Sequence, residues 1–221
     1  MGETIPRTTL TLEAYRTLRR AILNRQYPPG TKLVLRELAE ALGLSPTPIK
    51  EALAALSREG LVQAIPHRGY QVPALSPEDI REIYEIREVL EGLAARLAAM
   101  KSTFQLVDHL IDLFRKQREA ATVGDLEAYG DLDLAFHRTL WEVSENHRLL
   151  RIAENLNGQL RLLISTSAAV PGRLPLALEE HEAVLKWIVD HNPEKAETAM
   201  RLHVRNAWRA LWTHLGMMGD L

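Results

Sequence analysis

The stretch DLDLAFHRTLWEVSENH, residues 131–147, sets Asp133 and His137 four positions apart. On a helix that spacing stacks the two side chains on one face, where a carboxylate and an imidazole can close on a single ion. Two further imidazoles stand in separate amphipathic stretches, His181 in LEEHEAVL and His203 in AMRLHVRNAW. Together they form a nitrogen and oxygen donor set suited to Zn, Ni, Mn or Fe. The chain has no cysteine, which excludes a thiolate site, a disulfide and a cysteine nucleophile. Taken singly, a helical histidine is ordinarily a satisfied or surface residue, and an Asp/His pair at this spacing is often just a helix-surface contact. Spacing alone leaves open whether four residues from three helices meet.

The segments that must position these residues read as helices over 77–100, 103–123, 125–144, 146–167, 176–190 and 193–215, with glycine, proline and asparagine at the breaks. Ile80, Ile83, Ile86, Leu90, Leu93 and Leu97 sketch a buried stripe on the first. Six such elements after the proline-rich joint PALSPED predict an antiparallel all-α bundle.

A histidine and carboxylate centre with open positions can also catalyse. The pattern argues against an enzyme: no histidine has Glu three residues before it, and HExxH, GxSxG and a glycine-rich phosphate loop are all absent. No apolar run approaches the ~20 residues a membrane span needs, and MGETIPRTTL lacks the layout of a signal peptide, so a cytoplasmic protein without membrane contact is expected. Charge divides unevenly. Residues 1–75 hold 10 Lys and Arg against 6 Asp and Glu, and the remainder 17 against 23, which suggests a polyanion partner for the front part only.

That front part has its own pattern. TLEAYRTLRRAILNRQ spaces Leu12, Tyr15, Leu18 and Ile22 for an amphipathic helix with arginines on its outer faces, and YPPGTKL stops it. VLRELAEAL makes a shorter helix closed by Gly43, and Ser45 stands at the N-cap of a third, Pro46 to Arg58. This third helix buries Ile49, Leu53 and Leu56 and turns Thr47, Lys50, Ala54 and Ser57 outward. After Gly60 the period drops to two: Leu61, Gln63 and Ile65 alternate with Val62 and Ala64, PHRG turns, and Tyr70 and Val72 return as a hairpin with a basic tip. These are the parts of a winged helix-turn-helix. A helix with a small polar outer face fits the DNA major groove, and a cationic wing reaches phosphates or the minor groove.

In order and spacing, PPGTKL, LRELAEALGLS, SPTPIKEALAALSREGLV and HRGYQV resemble the DNA-binding domain of the GntR family of bacterial regulators. The resemblance implies that Arg36, Ser45, Thr47 and Lys50, with His67, Arg68 and Gly69 at the wing, meet DNA. Many members carry arginine where this chain has Pro46 and Lys50, so sequence preference does not transfer from them. Downstream, IYEIREVLEGLAARLAA, DLDLAFHRTLWEVSENHRLL, EEHEAVLKWI and AETAMRLHVRNA resemble the FCD domain, the metal-binding branch of the FadR-type regulators. The family's metal ligands fall on Asp133, His137, His181 and His203. His109, His147, His191 and His214 lie off the pattern and receive no role.

The resemblance implies one divalent ion per chain, Zn or Ni ahead of Mn or Fe, and a small organic acid as effector. Arg87 is a candidate anchor for that acid, with Asn157 and Arg161 behind it; the alternative for Arg87 is a rim salt bridge with Glu91. The expectation is mainly α: a winged helix-turn-helix over residues 1–74, then an antiparallel effector-binding and dimerisation bundle of about six helices over 77–221. It would act as a homodimeric regulator, a repressor, on a double-stranded inverted-repeat operator. A sensor in which the ion itself is the signal is the alternative reading.

Overall fold

The computed structural model describes residues 7–66 and 68–217. By packing, the chain divides into two compact units, one running to Leu75 and including Asn157–Leu162, the other formed by Ser76–Leu156 and the chain from Leu163 onward. Among the described residues there are nine helices and one three-stranded sheet.

The first unit holds α1 (Arg7–Leu23), β1 (Lys32–Leu33), α2 (Leu35–Leu42), α3 (Pro46–Arg58), β2 (Gln63–Ile65) and β3 (Gly69–Gln71). Its core joins Leu18 and Ile22 of α1 to Ile49, Leu53 and Leu56 of α3, with Leu33, Leu38, Leu61, Val62 and Val72. Gly43 ends α2 in the left-handed conformation, φ 63°, so α3 can start three residues later. Ser45 sits at the N-cap of α3 without a side-chain capping bond, contrary to the usual use of a serine there.

Three features differ from the sequence expectation. The wing is a sheet of order β1-β3-β2, because TKL, read as a helix stop, pairs with β3 through Lys32–Gln71 and Leu33–Tyr70. Gly69, at φ 90°, lets β3 pass close to β1: a Cβ there would stand 3.3 Å from the Leu33 carbonyl. Leu61 and Val62 are both buried rather than alternating, since they precede the strand and plug the head core. On α1, Arg19 is buried and lies 3.9 Å from Glu59 instead of facing outward.

The second unit is the antiparallel helical bundle: α4 (Pro77–Met100), α5 (Phe104–Val123), α6 (Leu126–Val143), α7 (His147–Ala168), α8 (Arg173–Val189) and α9 (Pro193–His214). Ser76 starts α4 with a reciprocal capping box to Asp79, while Thr103, Asp125, Asn146 and Asn192 cap four of the others through their side chains. Arg205 reaches Glu88 and Arg96 reaches Glu197, so α9 runs antiparallel along α4. The buried stripe of α4 is only partly the aliphatic one: Ile80 and Ile83 are buried as expected. Ile86 is 48% exposed, whereas Ala94, Ala95, Ala98 and Ala99 are fully buried. Close helix approach favours small side chains at the contact, and Leu90, Leu93 and Leu97 are only half-buried. The start of α8 also moves, to Arg173, because Pro175 falls in the first turn, where its missing N–H has no intrahelical partner to lose. No described helix is long and apolar enough to cross a membrane.

Candidate metal centre and nucleic-acid interface

Three helices bring four side chains together. α6 supplies Asp133 and His137, α8 supplies His181, and α9 supplies His203, all buried. The candidate ligand nitrogens of the three histidines lie within 4.8 Å of one another. His181 Nε2 stands 3.3 Å from His203 Nε2, and the Asp133 oxygens lie 3.7 Å from Nε2 of both His137 and His181.

The other nitrogen of each ring explains this orientation. His137 Nδ1 donates to Glu91 Oε2, His181 Nδ1 to Gln117 Oε1, and His203 Nδ1 to Glu180 Oε2, each at 2.9 Å. The carboxylate partners can only accept. Gln117 is fixed as an acceptor toward His181 because its amide nitrogen donates to Asp133 Oδ1 at 3.0 Å. All three rings therefore carry their proton on Nδ1 and keep an Nε2 lone pair for the space they share, with Asp133 beside those of His137 and His181, the arrangement found where histidines ligate metal. The donor set fits a divalent borderline cation.

The electrostatics agree. Burial, followed by mutual repulsion among the rings and nearby arginines, holds His181 and His203 well below the usual imidazole range, so they stay neutral and ligand-competent. Burial also pushes the Asp133 carboxyl up, and His137 and Arg87 offset this only in part; a bound dication would reverse it. For Glu91, burial acts upward, but His137 and Arg87 outweigh it and hold the carboxyl low.

Beside the cluster lies a cavity lined by Asp133 and His203 together with Arg87, Arg173, Tyr84 and Tyr129. Arg87 is no rim residue. It is 3% exposed, pairs with the equally buried Glu91 at 3.4 Å, and sets Nη2 3.2 Å from His137 Nε2. Asn157 and Arg161 do not line the cavity and group with the first unit. His109, His147, His191 and His214 are exposed.

Sequence reasoning missed Gln117, Glu180, Arg173 and the two tyrosines, and it had Glu91 only in the alternative of a rim salt bridge. Gln117→Leu, which removes the support of both Asp133 and His181, is expected to weaken metal binding about 10–100-fold. Competition against a chelator of known affinity measures it.

In the first unit, Arg36, Ser45, Thr47 and Lys50 are exposed, while Ala54 and Ser57 are half-buried. Arg68 and Gly69 are exposed on the wing, and His67 lies outside the described residues.

Comparison with known proteins agrees with this layout. Residues 10–72 match the gntR family of bacterial regulatory proteins and residues 82–206 match the FCD domain. A probable D-xylose utilization operon transcriptional repressor of Paenarthrobacter nicotinovorans is 31% identical over 201 residues, covering 90% of this chain and 88% of its own. The transcriptional repressor RspR of Escherichia coli is 28% identical over 203 residues, covering 90% and 88%. Among solved structures, E. coli McbR/YncC superposes with a TM-score of 0.73 at 25% identity, over 93% of this chain and 98% of that one. With matches to both halves and a relative aligned along nearly its full length, the chain belongs to the GntR family, as a DNA-binding transcriptional regulator whose second domain is of the FCD type.

Proposed function

We propose that the chain is a cytoplasmic repressor, binding an inverted-repeat operator as a homodimer through residues 1–74 and releasing it when a small carboxylate enters the bundle, residues 77–221. The observation that carries this reading is the convergence of three proton-locked histidines, two of them beside Asp133, next to a cavity that is also lined by two buried guanidinium groups. Asp133, His137, His181 and His203 would hold one divalent ion, Zn or Ni ahead of Mn or Fe. When bound, such an ion supplies a positive docking point for a carboxylate oxygen. Arg87 and Arg173 donate to the same anion from the cavity wall, and their partners, the buried Glu91 and the partly buried Glu180, hold them in place. The acid shifts the DNA-binding equilibrium only through unequal affinity for the operator-competent and operator-released states.

On the head, Ser45, Thr47 and Lys50 face the major groove, Arg36 meets the backbone, and Arg68 with Gly69 serves the wing. Arg36→Ala is expected to weaken binding to all sequences alike and to reduce the salt slope by about 1, whereas Lys50→Ala relaxes sequence preference by ~1–3 kcal/mol at the base it contacts. Binding measured at several salt concentrations, on cognate and scrambled duplexes, checks both. Unchanged affinity and slope in two folded variants would move the DNA surface elsewhere.

A further inference from the structure

The outward arc of α3 is short, and its chemistry is uneven. Pro48, Ile49, Ala52 and Leu53 are buried, which leaves Pro46, Thr47, Lys50 and Glu51 exposed over the first two turns. Glu51 is engaged by α1, accepting from the Thr11 hydroxyl at 2.8 Å. Pro46 and Lys50 stand four apart, so they stack on one face with Thr47 beside them.

Two prolines change what this end of the helix presents. Pro46 and Pro48 occupy the first and third helical positions and carry no N–H, so Thr47 alone of residues 46–48 has a backbone donor. The same loss explains the unused cap at Ser45: a serine at the N-cap bonds the second or third N–H of the helix, and the third is missing here. A helix start stripped of donors is a poor cradle for a phosphate, which is held by several N–H groups together. What stands there instead is an exposed pyrrolidine ring.

We infer that Pro46 reads a thymine through its 5-methyl group, within two base pairs of a guanine contacted by Lys50. This rests on the reading of α3 as the helix in the major groove and names a base that its outer face selects. A ring with neither donor nor acceptor cannot hydrogen-bond a base edge, and the thymine methyl is the one apolar group that the base pairs show in that groove. The ammonium of Lys50 suits the O6 and N7 acceptors of guanine. One helical turn rises about 5.4 Å and successive base pairs about 3.4 Å, so residues stacked one turn apart meet base pairs no more than about two apart.

Deoxyuridine tests this, because it differs from thymidine only by the methyl. Duplexes enriched by the full chain from a randomised pool supply the probe, and binding is measured with each thymine replaced in turn by uracil. One replacement in each half-site is expected to weaken binding about fourfold, the worth of one methyl kept from water. Pro46→Ser is expected to bind the thymine and uracil duplexes equally, a ratio that loss of folding or of general affinity would not bring to one. If no thymine within two base pairs of the guanine whose preference Lys50→Ala relaxes is sensitive, the inference is overturned and the groove reading stays intact. A sensitivity that persists in Pro46→Ser, or that vanishes in Thr47→Ser instead, also overturns it, because the methyl then meets another side chain. If Lys50→Ala binds the enriched duplexes as tightly as wild type, α3 does not enter the groove and the inference falls with that reading.

Discussion

His203→Ala is expected to bind its divalent ion about a hundred- to a thousandfold less tightly, one ligand's share of the ~10–16 kcal/mol that four-ligand sites supply. The variant loses an Nε2 lying 3.3 Å from that of His181 and leaves Glu180 with Arg173 and Asn206 as its remaining partners. In saturating metal the same loss removes about 3–4 kcal/mol of linked stability, which lowers the melting temperature by roughly 5–15 °C for a domain of this size. Elemental analysis of untagged protein and thermal melts with and without chelator measure both effects. Wild type and variant should melt together once chelated, apart from the packing lost with the ring. A wild type that carries no ion and gains none on dialysis against Zn, Ni or Mn would make the cluster a structural histidine network.

Glu91→Ala is the more damaging change. Its carboxylate accepts from Trp141 Nε1 at 2.8 Å and from His137 Nδ1 at 2.9 Å and faces Arg87 at 3.4 Å, all inside the bundle. Truncation strands a buried guanidinium and an indole N–H, which together cost about 3–5 kcal/mol. A bundle with a typical stability of ~5–15 kcal/mol would lose a large part of it. Glu91→Gln keeps an acceptor but not the charge, so it is expected to fall between wild type and alanine in urea denaturation. An alanine variant as stable as wild type would show that Arg87 reaches solvent or another partner.

The contrast between Glu91 and Ile86 shows how far the sequence carries the argument. Both lie on α4; hydrophobic periodicity put the isoleucine inside, and the glutamate entered only as the partner in an alternative rim salt bridge. The structure exposes Ile86 and buries Glu91 to 1%, because the helix packs through its alanines and turns its charged pair toward the histidines. Periodicity weighs side-chain size and polarity; it does not register that a carboxylate can be buried when three donors surround it. The members of the buried cluster were legible: Asp133 and His137 by their spacing, and His181 and His203 by type and order through the family resemblance. Gln117 and Glu180 carry no comparable signal, since a polar residue on a helix looks the same whether it faces water or a ring nitrogen. Arg173 was hidden by Pro175, which reads as a boundary but sits in the first turn of α8. The strand β1 was invisible for a related reason: two residues between a proline-glycine turn and a helix become a strand only by pairing with β3.

The account stands or falls on acid, ion and operator acting together. The direct measurement is operator affinity of the full chain, metal-loaded and chelated, titrated with whichever of lactate, glycerate, isobutyrate and 2-methylbutyrate binds most tightly by calorimetry. The account predicts that the acid weakens operator binding of the loaded protein by about 5–150-fold, the usual range of allosteric coupling, and leaves the chelated protein unmoved. An equal response to acid in the chelated protein, or a switch in operator affinity on adding the ion alone, would contradict it.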